Sequence, residues 1–308
     1  MIVNPNQLKK KTLYKGMIAG LPGIGKSTLG VSSPDPLWID TDNGWDRVPA
    51  QFRVPIIQPK NYEEVLNDLR PDNSEIAGFK TLVFDTGGSL LEFMKPYLIK
   101  KDMKNAQKDG VTLSIRGYGA IGHEFMRLMN HCIFGLKKNI IVIFHVVEKV
   151  DGDDTVYRID VEGQTKNNIW KIMDFGGIMY SLNNKRVIGF SPTDKYYAKG
   201  THGLKGIMEI PDVLTTGKNL FIADLFNMLN ENIENESEIN EDYKLLMEEI
   251  KTVIASIKGI KSAETAYAKI LNFNHVFSSK HEASELMKRK LEKIGLEYKS
   301  GKFVAVKK

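Results

Sequence analysis

The densest group of chemistry-bearing residues is Gly20-Leu21-Pro22-Gly23-Ile24-Gly25-Lys26-Ser27, followed by Thr28. Its spacing, G-x-x-x-x-G-K-S, is that of a loop built to cradle phosphate. Glycines let the backbone wrap inward so that successive N–H groups converge on one anion, and a helix opening after the loop adds its partial positive charge. In such a loop Lys26 neutralises the β- and γ-phosphates of a nucleoside triphosphate, and the Ser27 hydroxyl ligates Mg²⁺. ATP and Mg²⁺ are therefore the expected cofactors. A glycine-rich turn with no ligand is the competing reading. The β-forming run at 14–19 before the loop and the helical run at 26–31 after it argue against that.

Three further residues would complete a site of this kind. Lys80-Thr81-Leu82-Val83-Phe84-Asp85 is an apolar strand ending in an acid, so Asp85 would hold the metal through water opposite Ser27. The residue after it is Thr86, where AAA+ enzymes carry a water-polarising glutamate, so a general base must come from elsewhere. Trp38-Ile39-Asp40-Thr41-Asp42-Asn43-Gly44 supplies the candidate. Strand ends in a parallel sheet line one crevice, which would turn Asp42 toward the γ-phosphate. Asp40 and Asp42 are equally readable as turn and cap residues of a solvated loop. His145 ends the run Asn139-Ile140-Ile141-Val142-Ile143-Phe144, placed either to sense the γ-phosphate or to sit as a satisfied strand-terminal histidine. The other histidines show no metal-ligand spacing.

The elements that must position these residues are short β-rich runs alternating with helical ones. Strands are expected at 14–19, 37–40, 54–58, 81–85 and 139–145, several of them apolar on consecutive residues as in strands covered on both faces. Helices are expected at 26–31, 62–69, 88–101 and 119–137, the last carrying Ile121, Phe125, Leu128, Met129 and Cys132 at helical spacing. The fold class that follows is α/β with a mainly parallel central sheet. After His145 the pattern changes to hairpins: 146–150 with 155–161 about Asp151-Gly152-Asp153-Asp154, and 177–182 with 186–190 about Asn183-Asn184.

The 308 residues, 42% apolar and 26% charged, suffice for an enzyme-sized core and exclude a disordered, collagenous or coiled-coil chain. One cysteine, Cys132, excludes an internal disulfide and a Cys-based zinc site. The amino-terminal MIVNPNQLKKK has no signal-peptide core, and no apolar run approaches the ~20 residues of a membrane span, so a cytoplasmic protein with no membrane partner is expected. The net charge of +5 permits an acidic polymer as partner. Its distribution is uneven: residues 229–242 hold six acids and no base, whereas 243–308 hold 14 bases against 7 acids. Three parts are expected: an ATP-binding core at 1–228, an acidic linker or frayed helix end at 229–242, and a small, mostly helical basic domain at 243–308. Helices at 243–257, 262–271 and 280–294 and a strand at 302–306 are expected in the last.

The order of phosphate loop, "WIDTDNGWD", "LVFDTGGSLL" and "VIFH" resembles the RecA-like P-loop core, in which the second, third and fourth motifs carry a catalytic acid, the Mg²⁺ aspartate and a polar γ-phosphate sensor. More narrowly, "GLPGIGKST", "IDTDNG", "VFDT", "GYGAIGHEF" and "FHVVEKVDGDD" resemble phage-encoded AAA-domain nucleotide-binding proteins, which include single-strand-annealing recombinases. The resemblance covers residues 12–215 and stops short of the basic tail. It implies ATP hydrolysis to ADP, with Asp42, Asp85 and His145 in the three roles, in the cytoplasm of a bacterial host. RecA itself carries glutamate at the position of Asp42 and glutamine at that of His145.

The resemblance also implies a homo-oligomer, ring or filament, whose sites are completed by a base from the neighbouring subunit. Lys195 and Lys199, with Arg186 as a third, are the candidates, although an exposed basic loop explains the first two as well. Single-stranded DNA, and a phage single-strand DNA-binding protein, are the implied partners. Residues 100–117 and 148–168, with Arg116, Lys149, Arg158 and Lys166, are the loops expected to contact DNA. Lys288, Arg289, Lys290, Lys293, Lys299, Lys302, Lys307 and Lys308 form a richer basic surface, readable equally as a solvated face or a subunit contact. An alternative function is a nucleotide-regulated scaffold or loader that binds a replication or recombination protein and hydrolyses little. A small-molecule kinase would need an arginine-rich lid, which the sequence lacks.

Overall fold

A computed structural model describes residues 12–152 and 154–306. Asp153 of the first hairpin turn, the lysines Lys307 and Lys308, and the amino-terminal stretch to residue 11 lie outside these. The chain divides into two compact units, at Asn230 and Glu231.

In the first unit the contiguous apolar runs become the centre of a sheet. β1 (Lys15–Gly20), β2 (Pro36–Asp40), β3 (Ile56–Ile57), β4 (Thr81–Asp85) and β5 (Asn139–Asp151) are mutually parallel where they pair. Nearly every residue of β1, β2 and β4 is buried, as is the first half of β5, because helices cover both sheet faces. The order is β3-β2-β4-β5-β1 and continues through β7 (Phe175–Leu182), β8 (Lys185–Gly189) and β9 (Ile207–Glu209), β7 parallel to β1 and the last two antiparallel. This is the expected α/β class with a mainly parallel sheet, and the phosphate-loop sequence stands between β1 and α1.

Helices α1 (Lys26–Gly30), α2 (Tyr62–Asp68), α3 (Gly87–Lys101), α4 (Ile115–Asn130) and α5 (Thr165–Ile172) fill the connections. Asn61, Thr86 and Ser114 cap α2, α3 and α4 through their side chains. The predicted stripe of α4 is buried from Ile121 to Met129, and Cys132 follows in a π-turn over His131–Gly135. Strands expected separately at 139–145 and 146–150 are one strand, β5, which runs through His145 and pairs beyond the main sheet with β6 (Asp154–Ile159). Asn183 and Asn184 both adopt positive φ in the turn between β7 and β8, as the hairpin reading requires.

α6 (Val213–Thr216) is followed by α7 (Phe221–Ala255), which includes the acidic stretch 229–242 expected as a linker or frayed helix end. Glu, Leu, Ile and Met are good helix formers, and both ends of α7 bury apolar side chains, Leu225 and Leu229 at one and Ile250 and Ile254 at the other. The second unit adds α8 (Ile260–Leu271), α9 (Ser279–Lys293) and the hairpin β10 (Leu296–Lys299) with β11 (Lys302–Ala305). It has its own apolar cluster, including Met247, Ala266, Met287 and Phe303. Among the described residues no helix is long and apolar enough to cross a membrane.

The sheet centre tolerates little added volume. A Cβ on Gly16 would lie within 3 Å of two ring carbons of the buried Phe175. Gly16→Ala is expected to cost about 1–3 kcal/mol by overpacking, seen as a lowered thermal midpoint that Phe175→Leu partly restores.

Candidate functional site

Strand register brings the predicted residues to one edge of the sheet. Gly20, the last residue of β1, pairs with His145, while Asp85 pairs with Asp40 on one side and Ile143 on the other. The carboxyl ends of β1, β2, β4 and the regular part of β5 therefore share one crevice, as parallel sheets require.

The phosphate loop leaves β1 at Gly20 and enters α1 through Gly25, whose φ of 95° is a left-handed conformation that favours glycine. Lys26 is 6% exposed. Its Nζ donates to the carbonyl of Leu21 at 2.9 Å and lies 3.3 Å from Nδ1 of His145. Burial lowers its pKa to about 8 although Asp85 and Asp42 act to raise it. The Ser27 hydroxyl hydrogen-bonds Asp85, and that bond partly offsets the burial that lifts the Asp85 carboxyl to about 6. Asp40 and Asp42 push the same carboxyl up further. His145 is half-buried, and desolvation, then the charge of Lys26, shift it below the usual histidine range.

The two acids after β2 have different surroundings. Asp40 is buried, and its carboxylate accepts the backbone N–H groups of Asp42, Gly44 and Trp45 at 3.0–3.2 Å. It is a loop-forming residue. Asp42 is partly exposed and faces outward, paired with Arg47 at 2.7 Å and accepting from the Ser89 hydroxyl at 3.4 Å. With His145 and Thr86 it lines a cavity of about 290 Å³ beside the phosphate loop. Thr86, standing where a glutamate was considered, caps α3 and contacts Ser89. The Asp85–Thr86 peptide is cis.

Mg²⁺ suits this donor set. Ser27 and Asp85 present one hydroxyl and one carboxylate side by side, hard oxygen ligands, and the crowding of three carboxylates about Asp85 is relieved by a divalent cation. Among the described residues no group of three or more His, Cys, Asp or Glu side chains could hold a metal ion by itself.

Sequence reasoning missed two features. Arg47 has no motif around it and is recognisable only through its pairing with Asp42. A mostly apolar cavity of about 390 Å³ opens on the other side of α1, between Thr28 and Leu29 and the chain from β9 to the start of α7. Asn219 there donates to the carbonyl of Thr28 at 2.9 Å. Arg186, expected as a third candidate for a cation supplied to a neighbouring subunit, lines this cavity in its own chain: its guanidinium lies 2.9 Å from where a Cβ on Gly25 would stand, steadied by Asp212 at 3.3 Å. Lys199 is not at the phosphate loop. Its ammonium donates to the carbonyls of Trp170, Lys171 and Met173 at the end of α5. Lys195 is exposed beside Arg158, which stacks on Tyr197 at 4.5 Å.

The AAA domain family matches residues 12–202, which hold the phosphate loop, Asp42, Asp85 and His145. The chain belongs to that family. No curated protein matches it. Among solved structures it is similar to a prototypical ATPase from the type III secretion system of pathogenic bacteria, at 14% identity and a TM-score of 0.34 over 54% of this chain and 51% of the other. It is also similar to the RadB recombinase, at 12% identity and 0.36 over 64% of this chain and 86% of the other. The chain thus spans about half the length of the secretion ATPase. The AAA domain assignment accounts for residues 12–202 and leaves β9 to β11 outside it.

Asp40→Ala is expected to lose at least about 2 kcal/mol of stability by stranding the loop N–H groups, read from urea denaturation. Asp42→Ala, which breaks only a half-exposed ion pair, should change it by less than about 1 kcal/mol.

Proposed function

We propose that this chain is a Mg²⁺-dependent RecA-like P-loop ATPase that acts in phage DNA recombination or single-strand annealing. The observation that carries the ATPase reading is the convergence at one sheet edge of Lys26 on His145 and of Ser27 on Asp85. The AAA domain match supports it.

In this reading Gly20 to Thr28 wrap the phosphates, and Lys26 neutralises the β- and γ-phosphates. Ser27 and Asp85 hold Mg²⁺, which supplies charge neutralisation at the phosphoryl oxygens. Asp42 leaves Arg47 to orient and deprotonate the attacking water, and His145 hydrogen-bonds the γ-phosphate. Arg186 and the cavity beside Thr28 take the α-phosphate and nucleoside side of ATP. Lys195 remains the proposed base donated to a neighbouring subunit of a ring or filament. Lys26→Ala should abolish turnover. Arg186→Ala should weaken ATP affinity about tenfold or more by loss of a charge-assisted hydrogen bond, measured by calorimetry. Unchanged affinity would remove Arg186 from the site.

For single-stranded DNA, the loop between α3 and α4 offers exposed Met103, Val111 and Ile115 alongside Lys104 and Lys108. A phage single-strand DNA-binding protein is a further proposed partner. The alternative, a scaffold or loader with little hydrolysis, is favoured by one observation: Asp42 is already engaged by Arg47. Asp42→Asn separates the two. A fall in kcat of about 100-fold with ATP binding retained supports the ATPase, whereas unchanged slow turnover supports the scaffold.

A further inference from the structure

We propose that residues 243–306 form a helix-turn-helix module with a two-stranded wing that binds double-stranded DNA, α9 entering the major groove and the hairpin tip contacting phosphate. This site is separate from the nucleotide crevice and does not rest on the ATPase reading.

The order of elements is the first reason. After the carboxyl-terminal part of α7 come α8, a seven-residue turn, α9 and the hairpin β10–β11. The turn is tied down: one ring nitrogen of His275 lies 2.9 Å from the carbonyl of Ile270 in α8 and the other 3.0 Å from the hydroxyl of Ser279 in α9. Ala283, Met287 and Leu291 hold α9 on the apolar cluster. The opposite face, with His281, Ser284, Glu285, Lys288, Arg289 and Glu292, is exposed. An α-helix of ~10–12 Å diameter fits the major groove of ~12 Å. Lysine and arginine read guanine there, and glutamate accepts from cytosine.

The second reason is unneutralised charge. Lys299 and Lys302 are directly opposed in the β10–β11 register, at the neck of the Ser300-Gly301 turn. Like charges placed so oppose each other and weaken the hairpin. Among the described residues neither lysine has an ion-pair partner, and neither do Lys288, Arg289 and Lys293, whereas Lys269 in the same unit pairs with Glu249 at 2.9 Å. A polyanion resolves that repulsion. The hairpin is also fixed in place, since Tyr298 packs in tilted contacts against Phe303 and Tyr267 with ring centroids 4.7 and 5.2 Å apart. A helix matched in width to the major groove is what favours a duplex over a single strand.

The test is fluorescence polarisation of the full-length chain without nucleotide on a labelled DNA duplex of about three helical turns, between ~50 and ~200 mM salt. Salt-sensitive binding is expected. The double variant Lys299→Glu, Lys302→Glu should lose at least about tenfold in affinity and about two units of salt slope, with an unchanged circular dichroism melt. Lys288→Ala with Arg289→Ala should bind the duplex more weakly. The proposal is overturned if the parent fails to bind the duplex, if a single strand or duplex RNA of equal length binds more tightly, or if the hairpin variant keeps parental affinity.

Discussion

An ammonium and a carboxylate buried within one crevice constrain everything else at the sheet edge. Removing either charge from water is costly, and their mutual attraction offsets that only in part. Lys26 is pulled down to about 8 and Asp85 pushed up to about 6, so each is biased toward its neutral form by its surroundings. The Leu21 carbonyl and the Ser27 hydroxyl offset some of the cost with hydrogen bonds. Groups held this way interact strongly with any ligand that carries matching charge, because little water stands between them to screen it. A triphosphate answers the ammonium and a divalent cation answers the carboxylate. The register of β1, β4 and β5 puts the two answers side by side.

The three acids of this crevice differ because their backbones differ. Asp40 is still within β2, so its side chain turns back onto the loop that follows and is consumed by N–H groups. Asp85 ends a strand buried on every residue and has a hydroxyl as neighbour. Asp42 lies two residues past the strand, partly solvated, on an arginine that is itself exposed. A half-exposed ion pair of this type is worth little, typically under ~1 kcal/mol. Asp42 is therefore the acid that can change partner at small cost. The division of labour proposed for these residues is one that burial alone would impose.

The sequence made the sheet legible because strands covered on both faces must be continuously apolar through their centres, and 82–84 and 140–144 are. It made the phosphate loop legible because glycine, lysine and serine at that spacing have few other uses. Turn chemistry placed the Asn183-Asn184 hairpin correctly. Arg186 escaped assignment to the loop because its proximity to Gly25 arises from the pairing of β8 with β7 and of β7 with β1, a relation between residues far apart in sequence. The apolar cavity escaped for the same reason, being assembled from short irregular segments near β9 and α6. The acidic stretch is readable as a linker or frayed helix end because it holds few large apolar residues, yet helix can be carried through such a stretch by packing at either end.

β5 is the element that ties the crevice to the rest of the first unit. It pairs with β4 and β1 up to His145 and with β6 from Val146 onward, without interruption. The ring of His145 contacts the ammonium of Lys26, and its backbone carbonyl accepts from the N–H of Asp160 just past β6. Asp160 in turn lines the cavity shared by Asp42 and His145. The same strand thus joins the crevice at His145 to the β5–β6 ladder, which ends at the pair Asp151 and Asp154. Sequence separates a phosphate loop at residue 20 from a hairpin at residue 151, and one continuous strand removes that separation.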